Sequence, residues 1–133
     1  MDTQGHNLPL SGEECRALVR GRRVGRLGWT GSAGPTVQPV VYAVVEGLIV
    51  FRTAPGTALS ELAEGRPACL QVDDLDEQTA TGWSVLARGT TAPGPPELAA
   101  ELPTPWAPGE RRLVIALTPD EYTDFVLRCE FKL

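Results

Sequence analysis

After a polar opening, the pattern of apolar and polar positions first signals a helix. Ser11 stands three residues before Glu14, the capping-box spacing in which each side chain satisfies the other residue's free backbone amide. A helix to about Arg20 is predicted, closed by Gly21, with residues 1–10 loose ahead of it. From Val24 the pattern changes to short β-rich runs over 24–29, 37–45 and 48–53. Gly31-Ser32-Ala33-Gly34-Pro35 forms a loop, and Glu46-Gly47 has the length of a tight hairpin connection, so a three-strand meander is expected. The run Val40-Val41-Tyr42-Ala43-Val44-Val45 is almost without polar atoms. A strand of that kind is buried on both faces, one against core and the other against a partner or ligand.

Beyond Thr53, Ala54-Pro55-Gly56 makes a turn, and Thr57 is the expected N-cap of a short helix over 58–64, stopped by Gly65 and Pro67. β character resumes over 68–72, an acidic loop follows over 73–80, and a further strand covers 82–90. The stretch 92–109 carries six of the twelve prolines and leaves room for a helical turn or two over 97–102. Residues 111–117 and 124–132 read as two closing strands around Thr118-Pro119-Asp120. One helix, three strands, a short helix and several more strands predict a mainly β fold, an antiparallel barrel with helices at its rims. A chain of 133 residues fits one such domain over 1–133.

A net charge of -5 supplies no basic face for a sequence-independent grip on nucleic acid or on an anionic membrane. Eleven of the twelve basic residues are nevertheless arginine, and Arg20, Arg22, Arg23 and Arg26 crowd into seven positions. Such a cluster serves either as a solvated helix end or as a phosphate contact. Cys15, Cys69 and Cys129 lack disulfide or zinc spacing and read as buried thiols. With no apolar run near the ~18 residues that span a bilayer, and no charged-then-apolar leader after Met1, the expected location is the cytoplasm.

The candidate chemistry is narrowed first by what is missing. The only histidine is His6, which removes Ser-His-Asp and Cys-His catalysis together with histidine metal sites. The only lysine is Lys132, so there is no P-loop, and Gly21, Gly25, Gly28 and Gly31 do not make GxGxxG. Asp73, Asp74, Asp76 and Glu77 lack the glycine and terminal glutamate of an EF-hand and read as a solvated turn. What is left is Phe51-Arg52-Thr53-Ala54-Pro55-Gly56-Thr57-Ala58. A strand there delivers an arginine and a threonine into a glycine turn that opens a helix, and guanidinium, hydroxyls and helix N-terminus each stabilise a phosphate. The same residues would also suit a surface arginine beside a capped helix.

Four runs in this order carry a resemblance: Val24-Gly25-Arg26-Leu27, Pro39-Val40-Val41-Tyr42, Phe51-Arg52-Thr53 ahead of Gly56-Thr57, and Gly82-Trp83-Ser84-Val85. From about Ser11 to Leu117 the chain resembles the pyridoxamine 5'-phosphate oxidase-like family of FMN-binding split barrels, in particular its small actinobacterial flavin-nucleotide-binding branch. The resemblance implies a six-stranded antiparallel split β-barrel with short helices, paired as a homodimer with FMN at the interface. It would lay Val40, Val41 and Tyr42 along the ring and ribityl chain, and place Arg52, Thr53 and Thr57, between Phe51 and Ala58, at the phosphate. Trp83 and Ser84 would come from the partner subunit, with Trp106 as a second wall.

Two departures stand out. Relatives commonly carry lysine where this chain has Ala58, so Arg22, Arg23 or Arg26 is expected to substitute, or the cofactor is a deazaflavin or is not retained. Asp120-Glu121-Tyr122-Thr123-Asp124-Phe125 replaces a basic ending, which disfavours a second phosphate site for vitamin B6. The expected function is a flavin-dependent oxidoreductase on a small molecule, with a non-catalytic flavin carrier, sensor or accessory protein and a deazaflavin-dependent reductase as alternatives.

Overall fold

A computed structural model describes residues 10–104, 109 and 111–127, the last seven by their main chain alone. Helix α1 (Gly12–Arg20) starts at a complete capping box between Ser11 and Glu14 and buries Cys15 and Val19. Six strands follow: β1 (Val24–Gly31), β2 (Gly34–Val45), β3 (Leu48–Thr53), β4 (Pro67–Asp76), β5 (Thr81–Pro93) and β6 (Leu113–Leu127). All pair antiparallel, in the order β1-β2-β3-β6-β5-β4, and close into a barrel. Closure leaves no sheet edge unpaired. The expected six-stranded split barrel is therefore the fold.

The period-two alternation of each strand supplies the core. Leu27 and Trp29 of β1, Val40 and Tyr42 of β2, Ile49 and Phe51 of β3, Leu70 and Val72 of β4, Val85 and Ala87 of β5, and Ile115 and Leu117 of β6 fill the interior with Cys15 and Val19. A second, smaller apolar cluster lies on the outer face of β2, β3 and β6, where Val50, Val114, Ala116 and Leu102 are packed by Ala43, Val45 and Leu98. The two-sided burial expected of residues 40–45 thus has two covers: barrel core inside, and the short segment around Leu98 and Leu102 outside.

Three expectations give way. The helix over 58–64 is a 3-10 helix, as is Pro96–Glu101. Leu59 and Leu62, three apart and both buried, eclipse on one face in that geometry, and Gly65 at φ +86 ends it. The acidic stretch is not a loop up to Asp76, since Asp73 to Asp76 pair with Ser84 to Thr81. The two closing strands are one, β6, which pairs with β3 over 113–117 and with β5 over 115–127 and so runs through Thr118-Pro119-Asp120. The register shifts between Arg88 and Gly89 opposite this stretch, and a side chain on Gly89 would run into the Thr118 carbonyl. The part of the predicted last strand beyond 127 lies outside the described residues.

Candidate functional site

Alternation sends the residues of the predicted segment to opposite sides of the barrel wall. Val40, Tyr42, Phe51 and Thr53 point inward and are at most 7% exposed. The Tyr42 hydroxyl donates to the Val19 carbonyl at 2.5 Å, tying β2 to the end of α1. These four positions can offer a ligand main chain only. Val41 and Arg52 face outward on the side of Ala43 and Val50, and the β2–β3 register carried one step past Tyr42↔Phe51 sets them opposite each other.

Thr53 and Thr57 do meet, hydroxyl to hydroxyl at 2.8 Å. The Thr57 hydroxyl also reaches the Ala54 carbonyl at 2.8 Å, an oxygen that can only accept, so the Thr57 proton goes there and Thr53 donates to Thr57. Both protons are thereby used inside the turn. Thr57 makes no side-chain cap, and the helix it opens at Ala58 is a seven-residue 3-10 piece, so the expected dipole contribution is small. In the structure the Thr53 and Thr57 hydroxyls bond within the turn that leads to Ala58.

Arg52 is different. It is half-buried, its Nη2 donates to the Pro103 carbonyl at 3.4 Å, and its Nε is buried without any hydrogen-bond partner. A buried guanidinium N–H left unmade is costly, and an anion supplied from outside the chain relieves it. Pro103 is also part of a cleft of about 370 Å³ formed with Arg20, Arg22, Arg23, Tyr42, Ala43, Val44, Glu101 and Leu102. The cleft joins the end of α1 and the loop after it to β2 and to the turn at Pro103, which lies about eighty positions beyond α1 in the chain.

Arg22 connects this cleft to Trp83. Its guanidinium lies 5.1 Å from the Trp83 ring centroid and pairs with Asp74 at 2.9 Å. Trp83 itself packs on the barrel core, while Ser84 Oγ accepts from Gln71 Nε2 at 2.9 Å. Gln71 also donates to Asp73 at 2.8 Å, and Arg26 reaches both Gln71 and Asp73. Arg26 is therefore committed to the outer face of β1 and β4. Of the arginines expected to stand in for the absent lysine, Arg22 and Arg23 line the cleft that includes Pro103, the residue whose carbonyl accepts from Arg52, and Arg26 does not. Trp106 lies outside the described residues.

Neither Pro103 nor Glu101 was legible as part of the site from the chain alone, because they are brought there by the turn after the second 3-10 helix and by the end of that helix. Gln71 was missed as well, although a lone amide between Leu70 and Val72 in an alternating strand faces outward.

A closed six-stranded antiparallel barrel with an outward arginine on its third strand, flanked by a helix-end arginine cluster, defines a small ligand-binding barrel class. The family described as pyridoxamine 5'-phosphate oxidase matches residues 11–130, and the chain belongs to that family. An uncharacterized protein of Mycobacterium tuberculosis, Rv0080, is 31% identical over 125 residues, covering 87% of this chain and 82% of its own. The FAD binding protein from Mycobacterium smegmatis superposes with a TM-score of 0.73 at 28% identity, covering 91% of this chain and 100% of that one. An FAD-binding protein from Mesorhizobium loti shares the fold with a TM-score of 0.75 at 18% identity, over 92% and 98% of the two chains.

Proposed function

We propose that the protein binds a flavin nucleotide on the outer face of β2 and β3, with a phosphate on Arg52, and acts as a flavin-dependent oxidoreductase on a small molecule in the cytoplasm. The observation that carries this reading is the half-buried Arg52 whose Nε has no partner. Family membership and the FAD-binding name of the Mycobacterium smegmatis relative support it. In the described chain the fit is good: an anion at Arg52 would complete the guanidinium, and Val41 beside it offers an apolar surface to the neighbouring part of the ligand.

A bound flavin supplies hydride and electron transfer by itself, so the single histidine, His6, is no obstacle. The protein's share is binding and orientation. Arg52 anchors the phosphate end, the outer apolar surface at Val41 and Ala43 receives the body of the cofactor, and the Thr53–Thr57 contact holds the turn that follows Arg52 in one shape. A second copy of the chain, bringing its own Trp83 and Ser84, would cover the exposed side of the ring. That homodimer belongs to the proposal.

The test is spectroscopic. Purified protein titrated with FMN or FAD is expected to quench flavin fluorescence with saturable affinity, and Arg52→Ala to weaken it at least tenfold. Anaerobic reduction of the bound flavin by NADPH or NADH distinguishes an oxidoreductase from a carrier, which would leave the flavin oxidised with every donor. Tight binding of a deazaflavin with negligible binding of FMN and FAD would replace the flavin reading with the deazaflavin one.

A further inference from the structure

We infer that residues 95–103 form a strap latched shut by Arg52, and that an oxyanion reaching Arg52 displaces it, so that ligand binding and strap release are coupled. The inference rests on the flavin reading of Arg52 and adds to it a gate on that site.

The starting point is an access problem. Arg52 Nε has no hydrogen-bond partner and is also closed to solvent, so no ligand reaches it while its surroundings stay as they are. Among the described residues, the group that bonds the Arg52 guanidinium is the Pro103 carbonyl, which accepts from Nη2 at 3.4 Å. The guanidinium edge that carries the Nε proton also carries Nη2. A two-oxygen anion gripping that edge therefore needs the nitrogen that Pro103 holds. At 3.4 Å the bond lies beyond the usual N–H···O range, which makes it a weak latch and an easily replaced one.

The rest of the strap is held lightly. Its 3-10 helix Pro96–Glu101 buries no residue and has no side-chain cap. Its own hydrogen bonds are local, from the Leu98 amide to the Pro95 carbonyl and from the Leu102 amide to the Ala99 carbonyl. Among the described residues, two hydrogen bonds tie its ends to the barrel: the Gly94 amide to the Val114 carbonyl at 2.8 Å, and Arg52 to Pro103. Between those ends the hold is apolar, with Leu102, Leu98 and Ala99 resting on the cluster of Val50, Val114 and Ala116. A segment with local hydrogen bonds and few buried contacts opens at low cost.

The strap also has room to move. Glu101, Leu102 and Pro103 form one part of the lining of the cleft of about 370 Å³, with Arg20, Arg22 and Arg23 on the α1 side. Released at Pro103 and still tied at Gly94, the strap swings as a flap from one end. A gate of this kind leaves a signature, because the apparent affinity of a ligand is its intrinsic affinity reduced by the fraction of molecules that are open. Loosening the strap at a position remote from the anion then tightens binding, whereas loss of an ordinary supporting contact weakens it.

The experiment reads amide hydrogen exchange in the full chain by mass spectrometry, with inorganic phosphate and FMN as probes. Arg52→Ala without ligand should speed exchange over 97–103 by about fivefold to tenfold and leave 114–117 unchanged, the latter also reporting an intact barrel. Phosphate, its binding followed by calorimetry, should speed exchange over 97–103 in the native chain and have no effect in Arg52→Ala. Leu102→Ala, which weakens the closed form, should bind FMN about threefold to tenfold more tightly than the native chain. Unchanged exchange in Arg52→Ala would overturn the strap, as would exchange that slows or stays the same with phosphate bound, or FMN binding to Leu102→Ala that is no tighter. If neither phosphate nor FMN binds the native chain or Leu102→Ala, the flavin reading fails instead, and exchange in Arg52→Ala alone decides whether the latch exists.

Discussion

The inner and outer faces of β3 are one residue apart in sequence and entirely different in what they ask of a side chain. Ile49, Phe51 and Thr53 face a barrel interior closed on every side, where each is fully buried. Val50 and Arg52 face a surface roofed only in part, by the residues around the second 3-10 helix, and there a buried apolar group sits beside a guanidinium with an unmade hydrogen bond. The interior is complete within the chain, and the exterior is not. A face whose polar groups lack partners is where an external ligand has most to contribute.

The largest expected effect lies inside. Phe51→Ala should lower unfolding free energy by about 3–5 kcal/mol in a chemical denaturation, because the closed barrel cannot collapse into the space left behind. Val50→Ala, two methyl groups removed from the thinner outer cluster, should cost about 1.5 kcal/mol. Equal losses would mean that the outer cluster is as tightly closed as the core and would weaken its role as a ligand surface.

Arg52→Ala should invert the pattern, leaving stability unchanged within about 0.5 kcal/mol while flavin affinity falls by one to two decades. Thr57→Ala tests the neighbouring turn. Since its hydroxyl donates to the Ala54 carbonyl and accepts from Thr53, the loss should be about 1 kcal/mol of stability with flavin affinity nearly unchanged. A tenfold loss of affinity would show that the hydroxyl turns out to the phosphate.

The smallest effect concerns pH. The Glu61 carboxylate accepts from the side chain and the backbone N–H of Ser32 and from the Trp29 indole, and these bonds hold its pKa below the ordinary carboxylate value, against a smaller opposing effect of burial. Its stabilising contribution is therefore fully present above the unfolded-state pKa of about 4.3 and is lost as pH falls through the lower folded value. Glu61→Gln should flatten the acid side of a thermal-denaturation pH profile and leave the neutral side in place. The carboxylate is solvent-exposed, so the change should be modest.

Much of the inner face could be read before any coordinates. The capping box at Ser11, the hairpin at Glu46-Gly47 and the boundaries of β3 follow from local rules, since they depend on residues within a few positions of one another. What misled the reading was also local. Thr118-Pro119-Asp120 has turn chemistry, yet it lies within β6 because pairing with β5 across the Arg88/Gly89 irregularity outweighs the turn preference. Asp73 to Asp76 have loop chemistry, yet β5 recruits them. The candidate site divides in the same way. Arg52 was legible as an arginine delivered by a strand into a glycine turn, whereas Thr53 and Thr57 were assigned to the ligand and turn out to bond each other.

By itself the chain determines that the strands alternate, where the first helix begins, that histidine-based catalysis has only His6 to draw on, and that Arg52 and the Arg20–Arg26 cluster are the candidates for an anion contact. These follow from residue type and period, which every conformation of the chain carries with it. Only the closed barrel decides which alternate residues become core and which face out, and that the loop after α1 and the turn at Pro103, distant in sequence, meet beside Arg52. Closure is a property of all six strands at once, so no segment read alone contains it.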